Sequence, residues 1–199
     1  MKTVWILLFA FVLAGCNSGS DQTETAADTE TSMEMEMSDS ESDSSEEGEE
    51  EVLSPPREAS GEIGGSQILI DYSAPSVRER VIWDDLVPYG EIWVSGAHMA
   101  TSVEFENDIL VNGEPVPAGK YAFFTIPGED SWTVILNETW DQHQAGEYDQ
   151  ELDVARFDVE PMPIDHTEQL AYSVISEEDS GFIELAWEEL KIQVPVSQP

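Results

Sequence analysis

The stretch that decides the fold is DLVPYGEIWVSGAHMATSVEFENDILVNGEPVPAGKYAFFTIP, residues 85–127. Within it, Asn112 and Gly113 lie between two short apolar runs, and both tolerate the positive φ that a type I′ hairpin turn needs at its central positions. The segment from Lys120 to Ile126 is rich in aromatic and β-branched residues, and Pro127-Gly128 follows it, which is typical of a strand and its closing turn. The stretch therefore predicts a hairpin and a third strand.

Period-two alternation of apolar and polar residues continues on both sides of this stretch, and no window has a sustained 3.6-residue period. The predicted strands include Gln67 to Tyr72, Thr101 to Glu106, Lys120 to Ile126, Trp132 to Asn137, Val154 to Val159, Leu170 to Ser176, Gly181 to Trp187 and Leu190 to Val194. We expect turns at residues 161–163 and 177–181, and a loop with at most one helical turn at residues 76–86. About nine short strands without intervening helices predict an all-β fold, an antiparallel β-sandwich or a partly closed barrel.

The N-terminus has the pattern of an export signal. Lys2 precedes an apolar run of eleven residues, Val4 to Ala14, which is too short for a membrane span of roughly 20 residues. Leu13-Ala14-Gly15-Cys16 resembles a bacterial lipobox, in which the thiol is lipidated and the Cys becomes the new N-terminus. The alternative is an ordinary signal peptide with an incidental Cys. A lipid on Cys16 would hold the protein at a membrane, and Asn17 favours the outer membrane of the bacterial cell envelope.

An acidic segment follows the Cys. Residues 17–52 contain 14 of the chain's 43 acidic residues, no Lys or Arg and no aromatic residue. Such a composition predicts disorder and extension by self-repulsion. Ser54 to Gly65, rich in Pro and Gly, has the composition of a linker. The predicted organisation is a signal peptide at 1–15, the lipidated Cys with a disordered acidic tether and linker at 16–65, and a single β domain at 66–199.

Residues 53–199 are also strongly acidic. They contain 29 acidic and six basic residues, a formal net charge of about −23. Nucleic acid and anionic lipid head groups are therefore poor partners. The acidity favours adaptation to high salt, where ions screen the repulsion. The alternative is a low-affinity Ca²⁺ sink, which is less favoured because the chain has no Asp-x-Asp-x-Asp-Gly loop.

Several segments together carry a family resemblance. They are DYSAP, DLVPYGEIW, GAHMATS, NGEPVPAGKYAFFTIPG, WTVILN, DVARFDV and LAWE, in this order. The chain from Gln67 to Pro195 resembles the bacterial domain-of-unknown-function family numbered twenty-nine eleven. The resemblance implies export or lipid anchoring but no activity. In the family an Arg usually follows the Trp of the DLVPYG-x-x-W motif, where this chain has Val94, and an Asn commonly follows Gly-Ala, where it has His98.

Metal binding is one possible function. His98 lies in the Gly96-Ala97-His98 loop, and His143 lies in a later polar loop near Asp149. Two His and a carboxylate could hold a divalent ion. No His-x-x-x-His or Glu-x-x-His spacing occurs, so such a site has to be assembled from separate loops. Histidines without a function are the favoured alternative, and we expect no cofactor.

Two scarce cations fall inside predicted strands, Lys120 and Arg156. Each is expected to pair with a carboxylate at the sheet margin, the candidates being Asp153, Asp158 and Glu104. The alternative is that the two cations hold an anionic ligand. Pairing is favoured, because a partly buried Arg without a partner costs several kcal/mol.

Aromatic residues in a loop suggest where a ligand binds. Trp140 and Tyr148 lie in the long polar loop from Glu138 to Asp153, whereas most other aromatics alternate with the strand period and belong to the core. The sequence thus favours a non-enzymatic domain that binds an unknown small ligand or protein partner through the loops at 89–101 and 140–153. The alternative is a metal-dependent hydrolase built on His98, His143 and nearby carboxylates. No Gly-x-Ser-x-Gly or phosphate-loop motif is present in the sequence.

Overall fold

A computed structural model describes residues 53–199 as two antiparallel sheets, which confirms the predicted all-β antiparallel fold. The strands are β1 Pro56–Ile63, β2 Ser66–Ser73, β3 Ser102–Phe105, β4 Ile109–Val111, β5 Glu114–Val116, β6 Gly119–Ile126, β7 Trp132–Asn137, β8 Asp153–Val159, β9 Met162–Glu177 and β10 Ser180–Ser197. The larger sheet has the order β1-β2-β3-β6-β7-β8, and the smaller has the order β5-β4-β10-β9. The only helical element of the described residues is a 3₁₀ turn, Gln150–Leu152.

The predicted signal peptide, lipidation at Cys16 and most of the acidic tether lie outside the described residues. Within residues 53–199, no helix has the length and apolarity needed to cross a membrane.

The hairpin at one edge of the smaller sheet forms as the sequence predicts. Asn112 and Gly113 have φ angles of 49° and 82°, the two positive values that a type I′ turn requires. They connect β4 to β5 so that Ile109 faces Val116 across the pair. The Asn-Gly pair is a local signal, because the turn geometry depends on the backbone freedom of these two residues alone.

The prediction of a linker at residues 54–65 is wrong, because most of this segment forms strand β1. The Gly64-Gly65 turn, with φ angles of 57° and 77°, folds β1 back onto β2. As an edge strand β1 exposes Glu58 and Ser60, and Ala59 and Ile63 are its apolar contributions to the core. The apolar alternation of β1 is therefore too weak to be recognised in the sequence.

The last two strands are longer than predicted. β9 has 16 residues and β10 has 18, so the expected turn at 161–163 and the break between two C-terminal strands do not occur as predicted. Their pairing shifts register on both sides of Glu188, whose φ is 57°. A β-bulge of this kind interrupts the alternation of side chains without ending the strand, which is why one strand has the sequence pattern of two.

The two sheets form a sandwich around a shared core. Trp132 of β7 and Trp187 of β10 are buried there, and the rings of Trp83 and Trp93 pack against them at centroid distances of 4.8 to 6.3 Å. The indole N–H groups of Trp132 and Trp187 are buried without a hydrogen-bond partner in the described part of the chain. Aromatic pairs at these distances stabilise the folded state by about 0.5–1.5 kcal/mol each, beyond the contribution from burying the rings.

Part of the outer face of the larger sheet is also buried, under loops instead of strands. Ala122 and Phe124 of β6 and Ile135 of β7 form a second apolar cluster with Val94 and Ala100. We call the covering segments, residues 92–100 and 142–148, the loop layer. Because β6 is buried on both faces, its sequence YAFFTI is almost continuously apolar. The loop layer contains three of the residues that the sequence singled out, His98, His143 and Tyr148.

Candidate functional site

The two loops expected to bind a ligand meet in the structure. Met99 and His143 form an antiparallel bridge. The backbone N–H of Ala100 donates to the carbonyl of Gln142 at 2.9 Å, and the N–H of Gln144 donates to the carbonyl of His98 at 2.8 Å. We call residues 98–100 and 142–144 the loop ribbon. A cleft lies on each side of it.

The first cleft, the Lys120 cleft, has a volume of about 320 Å³. Lys120 Nζ donates to Asp71 Oδ2 at 2.8 Å and lies 4.8 Å from the centre of the Trp140 ring. Trp140 and Met99 remain 40% and 43% exposed, although both are large and apolar. The lining residues are Pro56, Arg57, Asp71, Tyr72, Ser73, Met99, Ala100, Ser102, Lys120, Trp140 and Asp141.

The ion pair of Lys120 differs from the prediction, because its partner is none of the three carboxylates expected. Asp71 lies opposite Ser102, and Ser102 lies opposite Ala122, two residues from Lys120 on the same strand. Asp71 and Lys120 therefore project from the same face of the sheet, with the small Ser102 between them. A contact across an intervening strand depends on strand order, which the sequence does not display.

The second cleft, the Arg80 cleft, has a volume of about 330 Å³. The guanidinium of Arg80 donates from Nε to the carbonyl of Val77 at 3.1 Å and from Nη2 to the carbonyl of Ser76 at 2.5 Å. His98 is exposed at this cleft, with a φ of 63°. The lining residues are Leu53, Ser54, Pro75, Arg78, Arg80, Leu86, Val87, Trp93, Gly96, Ala97, His98, Gln144 and Trp187.

Tyr148 and Arg156 lie in neither lining and instead fasten the long loop to strand β8. The hydroxyl of Tyr148 donates to Asp153 Oδ2 at 2.8 Å and accepts from Arg156 Nη1 at 3.1 Å. Arg156 also pairs with Asp153 at 3.3 Å, one of the pairings predicted from the sequence. Burial raises the pKa of Tyr148 to about 12, and its hydrogen bond to Asp153 acts in the same direction. The Tyr148 ring meets Phe124 edge-on, at a centroid distance of 5.5 Å.

The proposed metal ligands do not converge. Among residues 53–199, no group of three His, Cys, Asp or Glu side chains is placed to hold a metal ion. Asp149 caps the 3₁₀ turn, where its carboxylate accepts from the N–H of Glu151 at 2.9 Å. His98 and His143 are exposed residues of the loop ribbon. The residues present therefore do not form the three-ligand site that the hydrolase alternative requires.

Sequence reasoning missed Arg57, Arg78 and Arg80 as cleft residues. Arg57 falls in the predicted linker but lines the Lys120 cleft from strand β1. Arg78 and Arg80 lie in a loop that runs between strands, with no periodicity to indicate where its side chains point. The one feature of the sequence that could have identified these Arg residues as candidates is their positive charge in so acidic a chain.

A model of the family described as protein of unknown function (DUF2911) matches residues 54–196, which confirms the resemblance seen in the sequence. Neither the curated proteins nor the solved structures contain a match to this chain.

Proposed function

We propose that this chain, which belongs to the family of proteins of unknown function DUF2911, is a non-enzymatic, membrane-anchored protein of the bacterial envelope. Its β-sandwich would bind a protein partner at the Lys120 cleft. Cys16 would carry the lipid anchor, and the acidic segment that follows would connect the anchor to the sandwich.

The observation that carries the proposal is the exposure of Trp140 and Met99 in the cleft. Six large apolar side chains of the described residues are exposed, and four of them line the two clefts beside the loop ribbon. Trp, Tyr and Arg are enriched among residues that dominate protein binding energies, and Met adapts its shape to a partner. The Lys120 cleft combines all four residue types.

The charges of this cleft also suit a polypeptide. Arg57 and Lys120 lie in the same lining as Asp71 and Asp141. Such a surface offers partners to both signs of charge in a peptide segment, whereas the exposed Trp140 ring supplies an apolar anchor. Lys120 and Asp71 are already bonded to each other, so they shape the cleft and hold the Trp140 ring in place.

A photo-crosslinking amino acid at position 99 tests the partner surface in the native membrane. We expect a defined crosslinked species that falls at least about tenfold when Trp140→Ala is added, since a central Trp contributes about 2 kcal/mol or more at such interfaces. Leu152→Ala is the matched control, because Leu152 is also exposed but lines neither cleft. The proposal would be contradicted if Trp140→Ala and Leu152→Ala gave equal crosslinking from position 99. It would also be contradicted if a crosslinker at position 99 gave no more product than one at position 152.

The membrane anchor is tested by fractionation of cells that express Cys16→Ser. We expect the variant to leave the membrane fraction, because an acyl chain contributes about 0.8 kcal/mol for each buried CH₂ group. Unchanged membrane association would mean that Cys16 is not the anchor.

A further inference from the structure

The Arg80 cleft has an unusual charge for this protein. Residues 53–199 carry a formal net charge of about −23, but none of the described residues that line this cleft is an Asp or a Glu. Arg78, Arg80 and His98 are the titratable residues in that lining. By contrast, two Asp line the Lys120 cleft, and Glu104 and Glu106 line another cleft formed by residues of β2, β3 and the start of β6. The described lining of the Arg80 cleft therefore carries cationic side chains and no carboxylate, and the nearby Glu168 carboxylate accepts a hydrogen bond from the backbone of Arg78.

The same cleft has an aromatic and aliphatic wall. The rings of Trp93 and Trp187 are stacked at a centroid distance of 5.9 Å with an interplanar angle of 21°, and Val87 is buried beside them in the lining. Leu53 and Leu86 line it too, and are 60% and 43% exposed. A molecule in the cleft would therefore meet cationic donors and an apolar surface together, the usual composition of a small-molecule site.

The cationic residues are held by the backbone around them. The N–H of Val77 donates to the carbonyl of Glu168, and the N–H of Arg78 donates to its carboxylate at 2.9 Å. Two of the five guanidinium N–H groups of Arg80 are occupied by the carbonyls of Ser76 and Val77. A fixed guanidinium loses little entropy when an anion binds.

Backbone strain is concentrated in the same lining. Arg78, His98 and Gln144 have φ angles of 50°, 63° and 56°, which non-glycine residues adopt at a cost of about 1–3 kcal/mol. Three of the nine such residues in the described chain therefore line one cleft. Strained residues often gather where a binding geometry has to be maintained.

We propose that the Arg80 cleft binds a small organic carboxylate with an apolar or aromatic body. The carboxylate would accept hydrogen bonds from the Arg80 guanidinium and from His98, and the body would lie against Trp93 and Trp187. This site is separate from the partner surface at Trp140, so the two proposals stand or fall independently.

The test is a titration of the full chain with 3-phenylpropionate, followed by tryptophan fluorescence and calorimetry. 3-Phenylpropanol and 3-phenylpropylamine are the matched probes, since they keep the ring and replace the carboxylate by a neutral or cationic group. We expect saturable binding of the carboxylate, at least about tenfold weaker binding of the alcohol, and no measurable binding of the amine. Equal binding of the carboxylate and the alcohol, or no binding of the carboxylate, would overturn the proposal.

One variant and two controls locate the bound anion. We expect Arg80→Gln to raise the Kd for 3-phenylpropionate about tenfold, because it removes a charge-assisted hydrogen bond. Arg156→Gln removes the same charge outside the cleft and should leave the Kd within about twofold of the wild-type value. Trp140→Ala, which alters the other cleft, should have as little effect. The comparison of the carboxylate with the alcohol is made on the unaltered chain, so it does not depend on how any variant folds. An equal loss of affinity in Arg156→Gln would show that net charge, and not this cleft, controls binding.

Discussion

The Lys120 cleft and the Arg80 cleft lie beside the same loop ribbon, are similar in volume, and each contain two of the six Lys and Arg residues of the described chain. They differ in their carboxylates. Asp71 and Asp141 balance Arg57 and Lys120 in the first cleft, whereas no carboxylate of residues 53–199 lines the second. On our proposal, the position of a few acidic side chains, and not the number of cations, makes the second cleft the one that binds an anion.

The two clefts also differ in the backbone that carries their charges. Lys120 and Asp71 project from regular strands, where register fixes their separation. Arg78 and Arg80 project from a loop that is fastened to strand β9 through Glu168. The separation of the first pair follows from strand register, whereas the positions of the second pair depend on one loop conformation.

The largest effect is expected where the two clefts share their support. Phe124 is fully buried beneath the loop layer, so Phe124→Ala should lower the free energy of unfolding by about 3–5 kcal/mol through lost burial and a cavity. Urea unfolding measures this change. The control is Leu152→Ala, a substitution at an exposed residue, which should change the free energy of unfolding by no more than about 0.5 kcal/mol. A loss below about 1 kcal/mol for Phe124→Ala would mean that the loop layer does not depend on this contact.

A smaller effect is expected at the bond that fastens the long loop. Tyr148→Phe removes hydrogen bonds to Asp153 and Arg156 and should lower the free energy of unfolding by about 1–2 kcal/mol near neutral pH. The raised pKa of Tyr148 favours its protonated form in the folded state. Its contribution is therefore complete below the ordinary tyrosine pKa near 10 and is lost as the pH rises through about 12.

Alkaline titration of stability separates Tyr148 from the other tyrosines. Burial also raises the pKa of Tyr172, so the wild-type protein should lose stability above about pH 10 for more than one reason. We expect Tyr148→Phe to reduce the loss between about pH 10 and 12 without abolishing it. An unchanged slope in that interval would show that Tyr148 does not titrate with folding.

The smallest effect is expected in the Lys120 cleft. Lys120 and Asp71 are 26% and 46% exposed, so water screens their pair and Lys120→Met should change the free energy of unfolding by no more than about 1 kcal/mol. The difference from wild type should shrink further between about 0.1 and 1 M salt. A larger, salt-independent loss would indicate that the contact of Lys120 with Trp140 dominates instead.

The sequence by itself determined the local features of this protein. The Asn112-Gly113 turn, the alternation of β2, β3 and β7, and the apolar run of β6 depend on backbone freedom and on side chains within a few residues of each other. These signals are complete within a short window, so the amino-acid sequence alone is enough to recognise them. The edge strand β1 escapes recognition because its exposed positions are polar and its apolar face is small.

Tertiary structure alone decided where the candidate sites lie. The pairing of Lys120 with Asp71 spans 49 residues and an intervening strand, and the contact between the loops at Met99 and His143 depends on how each loop covers the larger sheet. The absence of carboxylates from the described lining of the Arg80 cleft is likewise a property of the folded surface, since acidic residues occur throughout its sequence neighbourhood. Local sequence encodes conformation, whereas the charge and shape of a cleft come from residues that only chain packing brings together.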